Sequence, residues 1–293
     1  MDLRTPLLNN LLDLWLDEDL GRGDLAKVAL NDSIVSAHWL TKQKGIFCGG
    51  PLVQKIFAKL DQSIQVNLLV KDGTKFEAGQ KLIELQGRAS ALVAGERTSL
   101  NLAMHLSGIA TSTAALVSEL EGTGVRLADT RKTTPGLRII EKYAVRCGGG
   151  LNHRMGLDDA AMLKENHIAW GNGIELAIKS IRENSSWTTK VIVEAETRQQ
   201  ATEAVKGGAD GILLDEMSPE VIRQLVPELR KLAASESSNR LSKVVIIEVS
   251  GIDPTKIKHY AHTGIDLIST SAPITKSAWI DLSMRFNKAN QSK

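Results

Sequence analysis

The 293-residue sequence is poor in aromatic residues and in cysteine, and both scarcities restrict what the protein can be. Phe, Trp and Tyr together make up 4% of the chain, so we expect a mainly aliphatic core without aromatic platforms for stacking nucleic-acid bases. The two cysteines, Cys48 and Cys147, lack the CxxC spacing of a zinc site. We therefore expect two free thiols in a reducing compartment rather than a disulfide.

A strong net charge, long apolar runs and common nucleotide motifs are also missing. The formal charge of +2 is too small for nucleic-acid binding through the whole surface. No run approaches the roughly 18 apolar residues of a membrane span, and the first residues lack a signal-peptide pattern, so we expect a cytoplasmic protein without a membrane partner. The absence of Walker, GxGxxG and GxSxG motifs argues against nucleoside triphosphatases, dinucleotide enzymes and serine hydrolases.

The first part of the chain mixes helical and strand-like segments. Helical spacing of apolar residues predicts helices over 7–16, 51–60 and 90–120. Strand-like segments lie at 33–40, 64–70 and 81–86. We expect a small antiparallel sheet with helices packed on it, in a first domain over 1–112. The amphipathic tail, 276–293, is expected to return to this domain.

The second part, over 113–275, alternates regularly between strands and helices. Six apolar strand candidates lie at 125–128, 161–163, 190–193, 211–214, 244–247 and 265–268. Helix-length segments lie at 137–146, 174–183, 197–206, 218–232 and 254–262. Repeated strand–helix units with non-alternating apolar strands are typical of a parallel sheet covered by helices. They predict an incomplete α/β barrel, with a doubly wound open sheet as the alternative.

Polar residues follow these predicted strands. Lys164, Glu194 and Asp215 each fall within a residue of a strand end. The other strands are followed by Asp129, Arg131, Lys132, Glu248, Ser250, Gly251, Ser269 and Ser271. Because the carboxyl ends of barrel strands converge on one mouth, we expect these side chains to form one site. A single charge at a strand end means little, since strands end where polar loops begin, but three together favour a site.

A second signal is the basic segment 129–154, DTRKTTPGLRIIEKYAVRCGGGLNHR. It holds six Lys or Arg against two acids, although the whole chain carries only +2. Arg138, Lys142 and Arg146 recur every four residues, which predicts either an anion-binding stripe or, more commonly, a solvated helix face. Three glycines at 148–150 then give backbone amides the freedom to approach an anion closely.

Together these residues predict a site for a highly anionic ligand set. Arginine suits planar carboxylates, and lysine and histidine add positive charge. The candidate cations are Arg131, Lys132, His153, Arg154 and Lys164. Two carboxylates, Glu194 and Asp215, are candidates for binding sugar hydroxyls or Mg²⁺, which prefers oxygen ligands and commonly binds with substrate phosphates.

The residues also resemble a known family over essentially the whole chain. Segment 128–168, ADTRKTTPGLRIIEKYAVRCGGGLNHRMGLDDAAMLKENHI, is similar to the signature stretch of quinolinate phosphoribosyltransferases. The same family is matched by EDLGRGD (18–24), ERTSLNLAMHLSGIAT (96–111), VEAET (193–197), LLDEM (213–217) and EVSGI (248–252). Segment 271–278, SAPITKSA, departs from the family's GALTHSA, with Ser271 for glycine and Lys276 for histidine.

The resemblance implies an N-terminal α/β sandwich domain followed by an incomplete, TIM-like α/β barrel. It implies transfer of phosphoribosyl from phosphoribosyl pyrophosphate to quinolinate with decarboxylation, in NAD biosynthesis, with Mg²⁺ accompanying the pyrophosphate. It also implies a homodimer, or a higher oligomer, whose active sites are shared. Arg97, at the start of the long helix, matches an arginine that the family supplies across the dimer interface.

The family's site residues are carried over position by position. Its quinolinate and phosphate cations fall on Arg131, Lys132, His153, Arg154 and Lys164. Its ribose and metal carboxylates fall on Glu194 and Asp215, which with Lys164 are the expected catalytic residues. Further substrate contacts fall on Ser250, Gly251 and Ser271.

Two alternatives stay open. One is a phosphoribosyltransferase of the same fold that acts on another anion such as nicotinate, although the density of cations favours two carboxylates. The other is a non-catalytic phosphoanion-binding protein on a barrel scaffold, in which loss of Glu194 or Asp215 would be expected.

Overall fold

The computed structural model describes residues 3, 5–30, 32–236 and 244–287, and these form two compact units. Unit 1 takes the described residues of 1–114, 133–149 and 273–293. Unit 2 takes those of 115–132 and 150–272. Segment 133–149 therefore clusters with unit 1, although it follows the first strand of unit 2 in the chain.

Unit 1 is built around a four-stranded antiparallel sheet in the order β12-β1-β5-β3. Its strands are β1 (Ile34–Thr41), β3 (Gln65–Leu68), β5 (Lys81–Arg88) and β12 (Leu282–Phe286). A separate antiparallel pair consists of β2 (Gly45–Ile46) and β4 (Lys75–Phe76). Its helices are α1 (Pro6–Leu20), α2 (Gly50–Leu60), α3 (Ala89–Ser118, continuing into unit 2) and α4 (Arg138–Cys147). Because β12 pairs with β1, the end of the described chain returns to this unit; residues 288–293 of the predicted tail lie outside the described residues.

Helix α1 shows how local sequence sets such an element. The Thr5 hydroxyl accepts a hydrogen bond from the backbone N–H of Leu8 at 3.3 Å, and proline at position 6 occupies the first helical turn, where its missing N–H costs nothing. Leu8, Leu12 and Leu16 recur every four residues and are all buried. Each buried leucine contributes about 1.5–3 kcal/mol, so tertiary packing of this face stabilises the helix.

Helix α3 is long and apolar enough, by length and composition alone, to cross a membrane. Long core helices meet the same criterion, and 44% of its most apolar window is buried inside the structure. Leu102, Leu106, Ile109 and Ala110 pack into an apolar cluster of unit 1. We therefore interpret α3 as a core helix.

Unit 2 is built around a six-stranded parallel sheet in the order β6-β11-β10-β9-β8-β7. Its strands are β6 (Arg126–Ala128), β7 (Ala161–Leu163), β8 (Val191–Ala195), β9 (Gly211–Asp215), β10 (Ile246–Ser250) and β11 (Leu267–Ser269). Its helices are α5 (Glu165–Trp170), α6 (Ile174–Asn184), α7 (Arg198–Lys206), α8 (Pro219–Ser235) and α9 (Ile257–Tyr260), and α10 (Ala272–Thr275) follows β11.

The strand order confirms the incomplete barrel. Strands β7 to β11 neighbour one another in chain order, and β11 returns to β6, so the described strands follow a barrel order with one open seam between β6 and β7. A doubly wound sheet would instead reverse its strand order at a switch point. The alternative architecture is therefore wrong.

Several predicted limits shift. Strands β8 and β10 extend to Ala195 and Ser250, so Glu194 and Glu248 lie within strands rather than after them. The helix predicted over 254–262 is a 3-10 turn at Pro254–Lys256 followed by the four-residue α9. The short elements α5, β2 and β4 were not predicted.

The basic stripe on α4 is not a solvated face. The Lys142 side chain is fully buried, at 0% exposure, and Arg146 alone of the three is exposed. The Nε of Arg138 donates a hydrogen bond to the Thr133 hydroxyl at 3.0 Å. The helix turns Lys142 into unit 1 because Ile140, Ala144 and Val145 share its packed side.

Two matching arginine–aspartate pairs, which we call arginine clamps, lie at the amino ends of the strands in unit 2. Arg182 of α6 donates to Asp210, which precedes β9, at 2.6 Å. Arg230 of α8 donates to Asp266, which precedes β11, at 2.7 Å. Each guanidinium also donates to two backbone carbonyls, and each aspartate accepts a backbone N–H of the neighbouring strand at 2.8 Å. The same arrangement of an arginine and an aspartate thus fixes the first residues of two strands, on the edge of the sheet opposite the polar strand ends.

Candidate active site

Polar side chains collect at the carboxyl edge of the parallel sheet, and strand register fixes which of them share a face. Glu194 on β8 and Glu248 on β10 both align with Leu213 on the strand between them. Asp215 and Ser250, two residues further along, align with each other. Aligned residues and residues two apart lie on the same face of a sheet, so these side chains share one face. The alternating residues pack in the apolar cluster of unit 2.

Lys164 lies directly after β7, and its ammonium forms an ion pair with the Glu194 carboxylate. The lysine side chain is 40% exposed and that of Glu194 14%, so a ligand can reach the cation from one side. An ion pair this exposed contributes at most about 1 kcal/mol to stability. Its main effect is to hold the ammonium at the edge of the sheet.

Arg154 is a buried cation anchored by the backbone. Its Nη1 donates a hydrogen bond to the Ala160 carbonyl at 3.0 Å. Burial and the nearby Arg131 guanidinium lower the pKa of Arg154 below its usual value, while Glu194 and Asp159 act in the opposite direction. Two guanidiniums that repel each other beside a carboxylate make a place where a bound anion is favoured.

His153 has protein partners on both ring nitrogens. Its Nδ1 accepts the backbone N–H of Arg154 at 2.8 Å, so Nδ1 carries no proton. Its Nε2 lies 3.3 Å from Oε2 of Glu248, and an ionised carboxylate can only accept. This arrangement assigns the single ring proton to Nε2. The protein itself therefore engages both ring nitrogens, and the role of His153 in binding an anionic substrate stays a prediction.

Asp215 is held by its neighbours at the ends of β9 and β10. The Ser250 hydroxyl donates to its Oδ1. Gly251 has φ +71°, and a Cβ there would lie 2.9 Å from the same oxygen, so glycine is required. Glu216 also has a positive φ, 53°, which a non-glycine residue rarely adopts. Such strain costs on the order of 1–3 kcal/mol and is concentrated at functional sites.

The other predicted residues are placed apart from these contacts. Lys132 is exposed in the loop after β6, and half-buried Ser271 lies two residues after β11, on the same edge of the sheet. Arg97 belongs to unit 1 and is exposed. It does not lie at the start of α3 but eight residues beyond Ala89, outside the first turn, where the helix dipole acts.

Two acids that were noted only as strand-end charges prove to organise the site. Asp129 is 1% exposed and accepts the Asn152 side-chain amide at 2.7 Å and the His153 backbone N–H at 2.8 Å. Glu248 is 3% exposed, and its Oε1 has no hydrogen-bond partner among the described residues. Their position after the predicted strands 125–128 and 244–247 was the available signal, and their burial could not be inferred from it.

Comparisons with known proteins agree over both units. The family model of the quinolinate phosphoribosyl transferase N-terminal domain matches residues 24–107, and that of the C-terminal domain matches residues 109–285. A protein of Synechocystis named probable nicotinate-nucleotide pyrophosphorylase (carboxylating) is 38% identical over 281 residues, which is 95% of this chain and 92% of the relative. A human protein named nicotinate-nucleotide pyrophosphorylase (carboxylating) is 34% identical over 278 residues, 94% of this chain and 90% of the relative.

The fold agrees with a solved structure as well. The nicotinate-nucleotide pyrophosphorylase from Francisella tularensis superposes with a TM-score of 0.89 at 36% sequence identity. The similarity covers 97% of this chain and 98% of that chain, so it extends over both compact units.

Proposed function

The chain belongs to the quinolinate phosphoribosyltransferase family, and we propose that the carboxyl edge of the parallel sheet in unit 2 is where it performs the family's reaction. The enzyme transfers phosphoribosyl from phosphoribosyl pyrophosphate to quinolinate with decarboxylation, giving nicotinate mononucleotide, pyrophosphate and CO₂. The observation that carries the placement is the convergence of Lys164 and Arg154 on the Glu194 carboxylate, since a reaction between two anions needs cations beside oxygen ligands.

We assign quinolinate to the pair Arg131 and Arg154. Quinolinate carries two carboxylates, and guanidinium groups bind carboxylates through planar, bidentate hydrogen bonds. Each charge-assisted hydrogen bond contributes about 1.5–3 kcal/mol. Burial and, after it, repulsion by Arg131 lower the pKa of Arg154, and an anion between the two guanidiniums offsets this repulsion.

The phosphates of the second substrate are assigned to the remaining cations and to the polar strand ends. Lys164 lies beside Glu194, where it can stabilise the charge that develops on the departing pyrophosphate. Lys132 adds charge from the loop after β6. The hydroxyls of Ser250 and Ser271 and the backbone N–H of Gly251 are our candidates for further phosphate contacts on the same edge.

The two carboxylates on neighbouring strands are assigned to the ribose. Loss of pyrophosphate leaves positive charge on the sugar, which Glu194 and Asp215 stabilise. The pyridine nitrogen of quinolinate attacks without a general base, because it carries no proton. Once quaternised, that nitrogen stabilises, as an ylide, the electron pair left on the adjacent ring carbon when the carboxylate leaves as CO₂. A proton from solvent then adds to that carbon, so this step needs no further cofactor.

We propose that Mg²⁺ accompanies the pyrophosphate, with Asp215 as its main protein ligand. The donor set fits a hard cation because Asp215 is half-buried at a strand end and Glu194 lies on the adjacent strand. Glu194 is the weaker candidate, since Lys164 already engages its carboxylate. When bound, Mg²⁺ neutralises phosphate charge.

A homodimer with shared sites is the assembly that we propose. The support is the position of Arg97, an exposed arginine on the surface of unit 1 that matches the family's cross-interface arginine. Its immediate neighbour Glu96 is partly buried, and burial raises the pKa of that carboxyl while Arg97 lowers it.

The reaction is tested by incubating the purified chain with quinolinate, phosphoribosyl pyrophosphate and Mg²⁺ and measuring nicotinate mononucleotide. Lys164→Ala should lose on the order of 100-fold or more in kcat, as expected when a group that stabilises developing charge is removed. Lys179→Ala, an exposed lysine on α6, is the matched control and should retain activity. Product from nicotinate but not from quinolinate would overturn the substrate assignment. Equal activity of the two lysine variants would overturn the placement of the site.

A further inference from the structure

Three segments of unit 1 bring both cysteines of the chain to one carboxylate. Cys48 lies between β2 and α2, Asp72 lies in the turn between β3 and β4, and Cys147 is the last residue of α4. One ligand atom from each, two sulfurs and a carboxylate oxygen, lie within 4.8 Å of one another. Cys48 is fully buried and Cys147 is partly exposed, so the cluster can be reached from one side.

The carboxylate of this cluster is fixed by three donors. Asp72 accepts the backbone N–H of Gly49 at 3.0 Å, that of Gly50 at 2.9 Å, and the Tyr143 hydroxyl at 2.8 Å. Capping of α2 alone explains the two backbone bonds. It does not explain why two thiols from distant segments meet the same carboxylate.

The frame around the thiols is equally constrained. The backbone of Cys48 exchanges hydrogen bonds with the buried Ser107 hydroxyl, at 3.0 Å to its N–H and 3.2 Å to its carbonyl. Gly73 has φ +82°, and a Cβ there would lie 3.2 Å from the Cys147 carbonyl oxygen. The turn that carries Asp72 therefore approaches the end of α4 as closely as glycine permits. The surrounding structure thus holds the backbone of both cysteines and the Asp72 carboxylate near one another before any ion binds.

We propose that Cys48, Asp72 and Cys147 form a binding site for a thiophilic divalent cation of the Zn²⁺ type. Two thiolates select a soft or borderline metal, and three protein ligands leave one tetrahedral position for water. Metal-binding carboxylates are themselves usually hydrogen-bonded, as Asp72 is by Tyr143. Binding displaces one proton from each thiol, so two protons are released for each cation bound. The ion would join the end of α4 to the start of α2.

Spectroscopy with Co²⁺ as the probe tests this site in the intact chain without using enzymatic activity. Added to the protein under a phosphine reductant, about one equivalent of Co²⁺ should give thiolate-to-cobalt charge-transfer absorption, which Zn²⁺ should abolish by displacement. Cys147→Ser should lose this absorption while its circular dichroism stays that of the wild type. His259→Ala removes an exposed imidazole far along the chain and serves as the control with unchanged absorption.

Two further measurements keep the proposal open to refutation if a cysteine variant folds poorly. Tyr143→Phe, which removes only the hydroxyl that donates to Asp72, should weaken Zn²⁺ binding roughly 10- to 100-fold in competition with a chromophoric chelator. Zn²⁺ should also slow alkylation of Cys147 in the wild-type protein. Absence of the charge-transfer absorption in the wild type, unchanged alkylation, or recovery of a Cys48–Cys147 disulfide in place of ion binding would each overturn the proposal.

Discussion

At the scale of a residue, His153 is a predicted ligand-binding side chain whose ring nitrogens both contact other groups of the protein. The sequence places it beside Arg154 in a basic segment, which favours a positive charge. Its hydrogen bonds instead direct Nε2 to the buried Glu248 and Nδ1 to the backbone of Arg154. We infer that Glu248 is a positioning residue, which holds the imidazole and, through it, the backbone that carries Arg154.

Two substitutions of Glu248 separate this role from simple packing. Glu248→Leu removes the acceptor of the Nε2 proton, and the loss of one such hydrogen bond should raise the KM for quinolinate about 10-fold, with a smaller effect on kcat. Glu248→Gln keeps an acceptor oxygen and should stay within a few-fold of the wild type. Steady-state kinetics measure KM and kcat separately, and thermal unfolding checks that both variants fold. Equal increases in KM for the two variants would show that the acceptor oxygen is not what matters.

At the scale of secondary-structure elements, we expect the two arginine clamps to contribute to the free energy of unfolding and not to catalysis. They lie at the amino ends of the strands, whereas the proposed chemistry lies at the carboxyl ends. Arg182→Ala and Arg230→Ala should each lower the free energy of unfolding by roughly 1–2 kcal/mol and leave kcat/KM nearly unchanged. Arg198→Ala, which removes an ion pair with Glu228 that is about half exposed on both sides, should cost less than about 0.5 kcal/mol. Urea unfolding measures the free energy of unfolding of all three variants. A loss of activity in either clamp variant would contradict the separation of stability from catalysis.

The Arg182 clamp also has a pH signature. Burial raises the pKa of Asp210, but the Val191 N–H and Arg182 outweigh it, so the pKa lies below the ordinary value of 3.8. A carboxyl with a depressed folded-state pKa stabilises the protein above its unfolded pKa, and this contribution disappears as the pH falls through the folded value. The stability difference between wild type and Arg182→Ala should therefore shrink below pH 3.8. A difference that stays constant down to acid unfolding would exclude this coupling.

Long elements with clear periodicity were predictable from sequence, and short or partner-dependent ones were not. The spacing of Leu8, Leu12 and Leu16 identified α1, and the strand–helix alternation identified the barrel. The strands β2 and β4 are two residues each, too short for any period, and exist through pairing with each other. Lys142 and Glu248 are charged residues in buried positions, which the sequence cannot distinguish from exposed charges because their surroundings come from distant segments.

The position of the candidate site was predictable because the ends of the strands could be predicted from the sequence. The placement of Lys164, Glu194 and Asp215 at one edge was predictable because a parallel sheet delivers the ends of its strands there, and their roles in the reaction stay predictions. The tautomer of His153, the support from Asp129 and the backbone anchor of Arg154 depend on contacts between loops, which have no signature in the sequence. The hydrophobic pattern therefore predicts where a site lies, and tertiary contacts decide what each group does there.

At the scale of the whole molecule, the shared-site homodimer can be tested by complementation. Neither Arg97→Ala nor Lys164→Ala homodimers should be appreciably active. After dissociation and reassociation of a mixture, half of the dimers are mixed, and each has one site with both changes and one with neither. Activity should recover to about a quarter of the wild type, as expected for an isologous dimer. No recovery, with mixed dimers shown to form, would place Arg97 in its own subunit's site; each variant remixed with itself is the control.

The open seam of the barrel has a consequence for self-association. A closed barrel has no edges, whereas this sheet presents two, and an unpaired strand edge can recruit a strand from another molecule. Both edge strands, β6 and β7, are only three residues long, while β8, β9 and β10 inside the sheet have five. Leu151 also engages the free side of β6, donating to the Leu127 carbonyl at 2.7 Å and accepting from the Asp129 N–H at 3.0 Å. The residue two positions before His153 thus occupies an edge where another molecule's strand would otherwise add, so the seam can stay open without inviting aggregation.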